Sequence, residues 1–321
     1  MAGIDQSRTN MLIKVAQLYY QSGLNQNEIA QQINISRSYV SKLLVEAKEQ
    51  GIVNISIRNP LEAETEMEST IREHFHLRSV LIAETKLEDS ITNAVAQKAA
   101  MYLDSIIKSG DTIAAGWGRT MFMMARHLRR RDDLSGIRTA SLYGQQAFMT
   151  ENVFNTESVT LITRAFNAIS YVLAAPVYIS SPEIQRLLLR EKSIQKTMEV
   201  AKEANIAIYT IGTPDRSSFL DQPNGLTEDQ IRDLVAQGMV TEVCLHLINR
   251  DGTLSAPDLE KRLMALPLED LQQKEYRIAV ASGRYKAEAV YTALVHGHMN
   301  VLVTDEEIAK SIIQRINNDR K

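Results

Sequence analysis

Hydrophobic residues in the first fifty positions recur at helical spacing in three short segments. The first predicted helix spans Ser7–Ser22. Asn25 begins a second helix as its N-cap, with Glu28 three residues later in the pattern of a capping box. Ser36 caps a third helix that runs to about residue 50. The alternation that follows, IVNISI over 52–57, predicts a strand that forms a wing.

A charged segment separates this helical region from the rest of the chain. Pro60 marks the boundary, and the apolar stripe within 61–77 predicts a connector helix, a candidate oligomerisation element. The sequence therefore predicts three parts. They are a helix-turn-helix domain over 1–58, a connector over 59–78 and a ligand-binding domain over 79–321.

From residue 79 onwards, short β-type runs alternate with amphipathic segments. Alternation of this kind predicts a largely parallel sheet with helices on both faces. The predicted strands are Ser79–Ala83, Thr112–Gly116, Arg138–Tyr143, Val172–Ala175, Ile206–Gly212, Glu242–Ile248, Arg277–Ala281 and Val301–Thr304. The predicted helices are 90–108, 119–131, 152–170, 182–204, 227–238, 284–297 and 305–317.

Composition narrows the class of protein. The 321 residues are 44% hydrophobic and 23% charged, which is the balance of a globular protein. The single cysteine, Cys244, rules out an intramolecular disulfide and favours a reducing cytoplasm. We expect no signal peptide and no membrane segment. The histidine pairs His74/His76 and His296/His298 lack the further ligands of a tetrahedral site, so we expect no metal and no cofactor.

The second and third helices have the features of a helix-turn-helix. Ala30 is the small residue that close helix packing needs, and Asn34 makes the tight turn. Residues at the start of a recognition helix reach base edges, so Arg37 is expected to pair with guanine. We expect Gln26 to anchor a phosphate and Lys42 to grip the backbone. The predicted DNA-binding residues are Gln26, Ser36, Arg37, Ser38, Tyr39, Ser41 and Lys42.

Four glycine turns follow predicted strands of the second domain. Loops at the carboxyl ends of parallel strands bind ligands in open α/β sheets. The turns contain Gly116 and Gly118, Gly144, Gly212, and Gly283. The cations Arg119, Arg284 and Lys286, placed beside such turns, favour an anionic ligand.

Three blocks of this sequence resemble the SorC family of sugar-responsive transcriptional regulators. They are QNEIAQQINISRSYVSKLLVEAKEQGIV, the GWGRT loop and VASGRYKAEAVYTALVHGHMNVLVTDEEIAKSI. The resemblance implies a winged helix-turn-helix joined to a Rossmann-like domain similar to ribose-phosphate and glucosamine-phosphate isomerases. It also implies a homo-oligomer, a dimer or more commonly a tetramer, whose operator binding is switched by a phosphosugar or related sugar.

The same resemblance suggests which residues bind the effector. Lys286 matches a lysine that commonly meets phosphate, and Glu242 stands where the family usually has aspartate. Tyr143 occupies the position of a Schiff-base lysine found in some relatives, which argues against a covalent adduct there. The predicted effector-binding residues are Gly116, Gly118, Arg119, Thr120, Gly144, Gln145, Gly212, Glu242, Gly283, Arg284, Lys286 and Asp305.

Two functional alternatives stay open from the sequence. An isomerase would need a general base, and Glu242 or Asp305 could serve, but no acid–base pair stands out. We therefore predict a regulator without enzymatic activity, since fold alone does not imply function. The effector is either phosphorylated or a free sugar or polyol.

Overall fold

The computed structural model describes residues 6–20, 22–53, 64–84, 88–145, 154–214 and 224–319. It divides the chain into two units, residues 1–63 and 64–321. The boundaries predicted at residues 58 and 78 stay predictions. Pro60 and the predicted start of the connector lie outside the described residues. The connector helix itself is Glu66–His74, and it packs within the second unit.

The first unit contains three helices around a small apolar core. They are α1 (Gln6–Tyr20), α2 (Gln26–Gln32) and α3 (Arg37–Glu49). The core contains Leu12, Val15 and Ile29, together with Val40 and Leu43 of α3, each at most 1% exposed. The predicted helical spacing is therefore confirmed as one buried face per helix. Of the predicted wing, Ile52 and Val53 lie outside any strand, and 54–57 lie outside the described residues.

The second unit is built on a mainly parallel sheet. The strands are β1 (Ser79–Ala83), β2 (Thr112–Ala115), β3 (Arg138–Ser141), β4 (Ile169–Tyr171), β5 (Ile206–Gly212), β6 (Met239–Val243), β7 (His246–Asn249), β8 (Tyr276–Val280) and β9 (Val301–Asp305). The strand order is β1-β9-β8-β5-β2-β3-β4, and every neighbouring pair on this path is parallel. The hairpin of β6 and β7 extends the end of β5.

Helices cover both faces of this sheet. Strand side chains alternate between the faces, so Ile206 and Ile208 pack in one core while Ala207 and Tyr209 pack in the other. Helices α5, α6 and α7 cover the first face, and α4, α13 and α14 cover the second. The helices of this unit are α4 (Glu66–His74), α5 (Glu88–Ile106), α6 (Arg119–His127), α7 (Phe154–Ala165), α8 (Pro182–Leu188), α9 (Lys192–Glu203), α10 (Glu228–Ala236), α11 (Pro257–Glu260), α12 (Leu268–Gln272), α13 (Ala287–Val295) and α14 (Glu306–Asp319).

Three sequence predictions within this unit are wrong. The strand expected at Val172–Ala175 lies at Ile169–Tyr171. Residues Ile169–Tyr171 pair with β3, whereas Leu173 packs in a separate apolar cluster outside the sheet. The run Glu242–Ile248 is the hairpin β6–β7, since two residues with positive φ reverse the chain. The helix expected over 182–204 is two helices, because Glu191 is extended.

Other predicted bounds need small adjustments. The helix expected over 119–131 ends at His127, and the segment expected as helix over 284–297 begins with a 3-10 turn, Arg284–Lys286. No helix among the described residues is long and apolar enough to span a bilayer.

Candidate functional sites

The turn between α2 and α3 has the geometry of a helix-turn-helix. The Asn25 side chain accepts hydrogen bonds from the amides of Asn27 and Glu28, and the Glu28 carboxylate accepts from the Asn25 amide. Asn34 has a φ of 55°, which the tight turn requires. Ser36 then caps α3 by accepting from the Tyr39 amide at 3.2 Å. The capping roles predicted for Asn25 and Ser36 are confirmed.

The predicted DNA-binding residues differ in their exposure and in the hydrogen bonds they make within the unit. Arg37, Ser38 and Lys42 are exposed, while Ser41 and Gln26 are half-buried. An open concavity of about 570 Å³ lies at the N-terminal ends of α2 and α3, with Gln26 and Arg37 in its lining. These two side chains can therefore reach the same ligand surface.

Ser36 and Tyr39 are less available than the sequence suggests. The Ser36 hydroxyl caps α3 and also bonds to the Ser38 hydroxyl at 3.0 Å. The Tyr39 hydroxyl accepts a hydrogen bond from Arg8 at 2.8 Å, and Arg8 also pairs with Glu46. Arg8 on α1 thus holds the side chains of Tyr39 and Glu46 on α3. Local sequence patterns did not indicate these contacts, because the partners are separated by 31 and 38 positions along the chain.

In the second unit, the predicted effector residues gather at the carboxyl edge of the sheet. Most of them end or follow β2, β3, β5, β8 and β9, which are parallel and therefore end on the same side. Glu242 lies in β6, where it pairs with Gly212 at the end of β5. The chain leaves β2 towards β3 on one side and β5 towards β8 on the other, and β2 and β5 are neighbours. Such a topological switch point is where α/β sheets form a ligand crevice.

The loop after β2 is bonded to the loop after β3. The Trp117 amide donates to the Tyr143 hydroxyl at 3.0 Å, and that hydroxyl donates to the Trp117 carbonyl at 3.2 Å. The Trp117 indole donates to the Gly144 carbonyl at 2.9 Å. A Cβ on Gly116 would lie 2.5 Å from the Tyr143 hydroxyl oxygen, so this close approach requires glycine. No local sequence pattern indicates the contact of Trp117 with Tyr143, because it joins residues 26 positions apart in the chain.

Helix α6 begins from this fixed loop. Gly118, the N-cap of α6, has a φ of 130°. Because glycine has no side chain, no N-cap side chain accepts a hydrogen bond from the first amides of the helix. Arg119 is exposed and Thr120 is half-buried beside them. A helix start whose N-cap has no side-chain acceptor, with a cation beside it, is suited to an anion.

The loop after β3 has little freedom at Gly144 and Gln145. The Gly144 amide donates to the Met264 carbonyl at 2.7 Å, and the Gln145 amide donates to the Ala175 carbonyl at 2.8 Å. A Cβ on Gly144 would meet backbone carbonyl oxygens at 2.6 and 2.7 Å. Gly144 therefore allows two chain segments to approach, and its backbone amide is not available to a ligand.

Lys286 and Glu242 bring opposite charges into the site: Glu242 is buried and Lys286 is half-buried. The Lys286 ammonium donates to the Ile211 carbonyl at 2.6 Å. One Glu242 carboxylate oxygen accepts from the Leu245 amide at 2.9 Å, and the other packs against Gly212. Burial raises the pKa of the Glu242 carboxyl and lowers the pKa of the Lys286 ammonium. The charge of each group partly offsets the effect of burial on the pKa of the other.

Asp305 joins the last two loops of the site. One carboxylate oxygen accepts from the Gly283 amide at 2.6 Å, and the other caps α14 by accepting from the Ile308 amide at 3.0 Å. At 2% exposure, Asp305 holds the glycine turn in place rather than facing a ligand. Arg284, one residue after that turn, is exposed. Cys244 is buried, and burial raises the pKa of its thiol.

The structure also adds a polar residue that sequence reasoning missed. Thr213 follows β5 directly, is 5% exposed, and its hydroxyl has no partner among the described residues. An unpaired buried hydroxyl is costly unless a ligand or water completes it. No spacing signal marked it, because its significance comes from burial at the edge of the sheet.

Comparisons with known proteins place this chain in a family. Residues 59–314 match the family model Sugar-bind, described as "Putative sugar-binding domain". The deoxyribonucleoside regulator of Bacillus subtilis is 29% identical over 97% of this chain and 99% of its own length. The transcriptional regulator LsrR of Klebsiella pneumoniae is 24% identical, over 97% of this chain and 95% of its own length. The full-length sorbitol operon regulator SorC from K. pneumoniae has a similar fold, with a TM-score of 0.71 at 23% identity over 95% of this chain and 99% of that one.

The fold is an α/β domain on a chain with a helix-turn-helix, and the family match makes the α/β domain a sugar-binding one. The chain belongs to the sugar-binding domain family, and the resemblance to SorC-type regulators is confirmed.

Proposed function

We propose that this protein is a transcriptional regulator of a carbohydrate-utilisation operon. Its first unit reads operator DNA, and its second unit binds a sugar phosphate or related sugar at the carboxyl edge of the sheet. The proposal is supported by relatives named as a deoxyribonucleoside regulator and a sorbitol operon regulator, each aligned over 95% or more of this chain.

The observation that carries the effector assignment is that exposed cations and more deeply placed charged groups lie at the same edge of the sheet. The exposed cations Arg119 and Arg284 suit an anionic group at the outer end of a ligand. Deeper in the site, Lys286 and Glu242 together offer a donor and an acceptor, which is what a sugar hydroxyl needs. A phosphorylated sugar presents both kinds of group.

Regulation follows if the effector binds two arrangements of the protein with different affinity, because a ligand shifts an equilibrium only through such a difference. In a homo-oligomer, dimer or tetramer, a change in subunit arrangement would alter the spacing of recognition helices. Paired half-sites lie about 34 Å apart or at multiples of that distance, so small changes suffice. The proposed setting is the cytoplasm, where operator DNA and sugar phosphates are both present.

The proposal includes no enzymatic turnover. Glu242 is the best candidate for a general base, yet one of its oxygens already holds the Leu245 amide. Asp305 uses both oxygens on backbone amides. Neither carboxylate is therefore placed as a free base with an acid partner. Incubation with ribose 5-phosphate or glucosamine 6-phosphate should give no isomerised product by chromatography.

The decisive experiment couples operator selection to effector screening. Operator sequences are first selected from random DNA with the full chain, and affinity is then measured by fluorescence anisotropy with sugar phosphates and their unphosphorylated counterparts. We expect one phosphorylated sugar to change operator affinity, and Lys286→Met to abolish that response. Arg186→Ala, which removes an exposed cation on α8, is the matched control.

The outcomes separate the alternatives. A response to free sugars alone would keep the regulator and overturn phosphate recognition. Failure to select any DNA sequence would contradict the regulator proposal itself. Product formation from a sugar phosphate would favour the isomerase.

A further inference from the structure

The hairpin that carries Glu242 turns through a backbone conformation that its residues rarely adopt. Cys244 and Leu245, the two residues between β6 and β7, have φ of 51° and 71°. Two-residue hairpin turns with positive φ usually contain Asn and Gly, because larger side chains strain there. Both residues are 2% exposed. Such strain persists only where surrounding contacts compensate for it.

Contacts inside the turn supply part of that compensation. The Leu245 amide donates to the Glu242 carboxylate at 2.9 Å, and the Tyr178 hydroxyl donates to the Leu245 carbonyl at 3.5 Å. The turn conformation and the orientation of the Glu242 carboxylate therefore depend on each other. Any group that fixes the turn also fixes this carboxylate at the edge of the sheet.

The next residue, His246, fixes the turn from outside. Its Nε2 bonds to the Leu266 carbonyl at 2.9 Å, and its Nδ1 bonds to the Glu260 carboxylate. A carbonyl only accepts, so Nε2 carries a proton, and Nδ1 faces the Glu260 carboxylate. Because both ring nitrogens are occupied, His246 offers none to a ligand or a reaction. At 3% exposure, its role is to hold protein segments together.

The segment that accepts from His246 is itself bonded to the loop after β3. The Leu266 amide donates to the Leu142 carbonyl at 2.8 Å, and the Gly144 amide donates to the Met264 carbonyl at 2.7 Å. Tyr143 pairs with Ala265 between these bonds. A continuous series of hydrogen bonds thus runs from His246 to the loop that receives the Trp117 indole.

We propose that His246 and Glu260 form a positioning latch that holds Glu242 and the Gly144 loop in one ligand-ready arrangement. The latch acts through other residues and does not touch the ligand. Its importance for effector binding rests on the proposed function, but its effect on the turn and on the loop does not. The proposal therefore has readouts that need no ligand.

The test compares His246→Leu, Glu260→Leu and Glu260→Gln in the full chain. Trp117 is the only tryptophan in the sequence, so its fluorescence reports the loop after β2 directly. Hydrogen–deuterium exchange reports the amides of Leu245 and Gly144. Asp258→Ala is the matched control, since it removes an exposed carboxylate from the same short helix α11.

We expect His246→Leu and Glu260→Leu to shift Trp117 emission to longer wavelength. Exchange at Leu245 and Gly144 should become about tenfold faster, because amide exchange follows local opening. Glu260→Gln should resemble the wild type, since its amide can donate to Nδ1. Exchange of the interior strand β8 should not change in any variant.

Unchanged emission and exchange in Glu260→Leu would overturn the latch, as would a Glu260→Gln variant as disturbed as Glu260→Leu. If His246→Leu does not fold, the two Glu260 variants decide alone. Affinity for ribose 5-phosphate and glucosamine 6-phosphate is then measured by calorimetry. A wild type that binds neither sugar phosphate counts against phosphate recognition in the proposed function, while the latch is judged by the exchange data.

Discussion

The Tyr143 hydroxyl bonds to both backbone groups of Trp117, accepting from its amide at 3.0 Å and donating to its carbonyl at 3.2 Å. The two residues also stack edge to face, with ring centroids 5.1 Å apart. Two loops that are 26 positions apart are thereby fixed at the start of the candidate effector site. Burial raises the pKa of the Tyr143 hydroxyl, so this group stays protonated and keeps its donor.

Tyr143→Phe should destabilise the protein and weaken effector binding. The substitution leaves the buried amide and carbonyl of Trp117 without their partner, which costs about 1–3 kcal/mol. Urea denaturation measures the stability change, and calorimetry with the active sugar measures the affinity. Tyr171→Phe is the matched control, because Tyr171 lies in the edge strand β4. Wild-type stability and affinity in Tyr143→Phe would contradict the role assigned to this contact.

Arg37→Ala should weaken operator binding and relax base preference at one position. Arg37 is exposed at the first turn of α3, where recognition helices contact bases, and one such contact is worth roughly 1–3 kcal/mol. Anisotropy titration against the selected operator and single-base variants measures this. Lys14→Ala, an exposed cation on α1, serves for comparison. Unchanged affinity and preference would remove Arg37 from base recognition.

Lys42→Ala should weaken binding to all sequences about equally. A lost phosphate contact lowers the slope of log affinity against log salt by about 1. Titrations at several salt concentrations give the slope. A change in base preference with an unchanged slope would instead assign Lys42 to base contact.

Asp305→Ala should destabilise the second unit and loosen the Gly283 turn. The carboxylate caps α14, and the loss of such a cap costs about 0.5–2 kcal/mol, before the unpaired Gly283 amide is counted. Asp305→Asn keeps one acceptor and should lie between the alanine variant and the wild type in urea denaturation. Equal loss in both variants would show that both oxygens are needed at full charge.

His298 should make stability fall as the solution becomes acidic. Burial lowers the pKa of His298 to about 4, and neither ring nitrogen has a partner among the described residues. Between the unfolded value of about 6.5 and the folded value, only the unfolded state gains the proton, so stability is lost as pH falls through this window. The effect is up to about 3 kcal/mol.

Replacement of His298 by leucine should make stability less dependent on pH between about pH 4 and the unfolded value of about 6.5. Denaturation midpoints for His298→Leu at a series of pH values provide the measurement, with the exposed His74→Leu as control. An unchanged slope in His298→Leu would show that His298 does not contribute to acid sensitivity.

Local sequence patterns determined most of the helices and strands. The helix starts at Asn25 and Ser36 depend on a cap within three residues, and those short-range interactions are present in the sequence itself. The strands Ser79–Ala83 and Ile206–Gly212 were predicted with their observed bounds, because a buried apolar run between turns has few alternatives. Parallel pairing followed from the alternation of strands and helices.

Only the tertiary structure decided which predicted site residues are free to act. Glycine turns and cations were visible in the sequence, but the bonds of Asp305 to Gly283, of Lys286 to Ile211 and of His246 to Glu260 join distant positions. The reversal at Cys244 was also missed, because its residues lack the local preference for positive φ. Local interactions determine elements, whereas burial and long-range hydrogen bonds determine which polar groups remain available to a ligand.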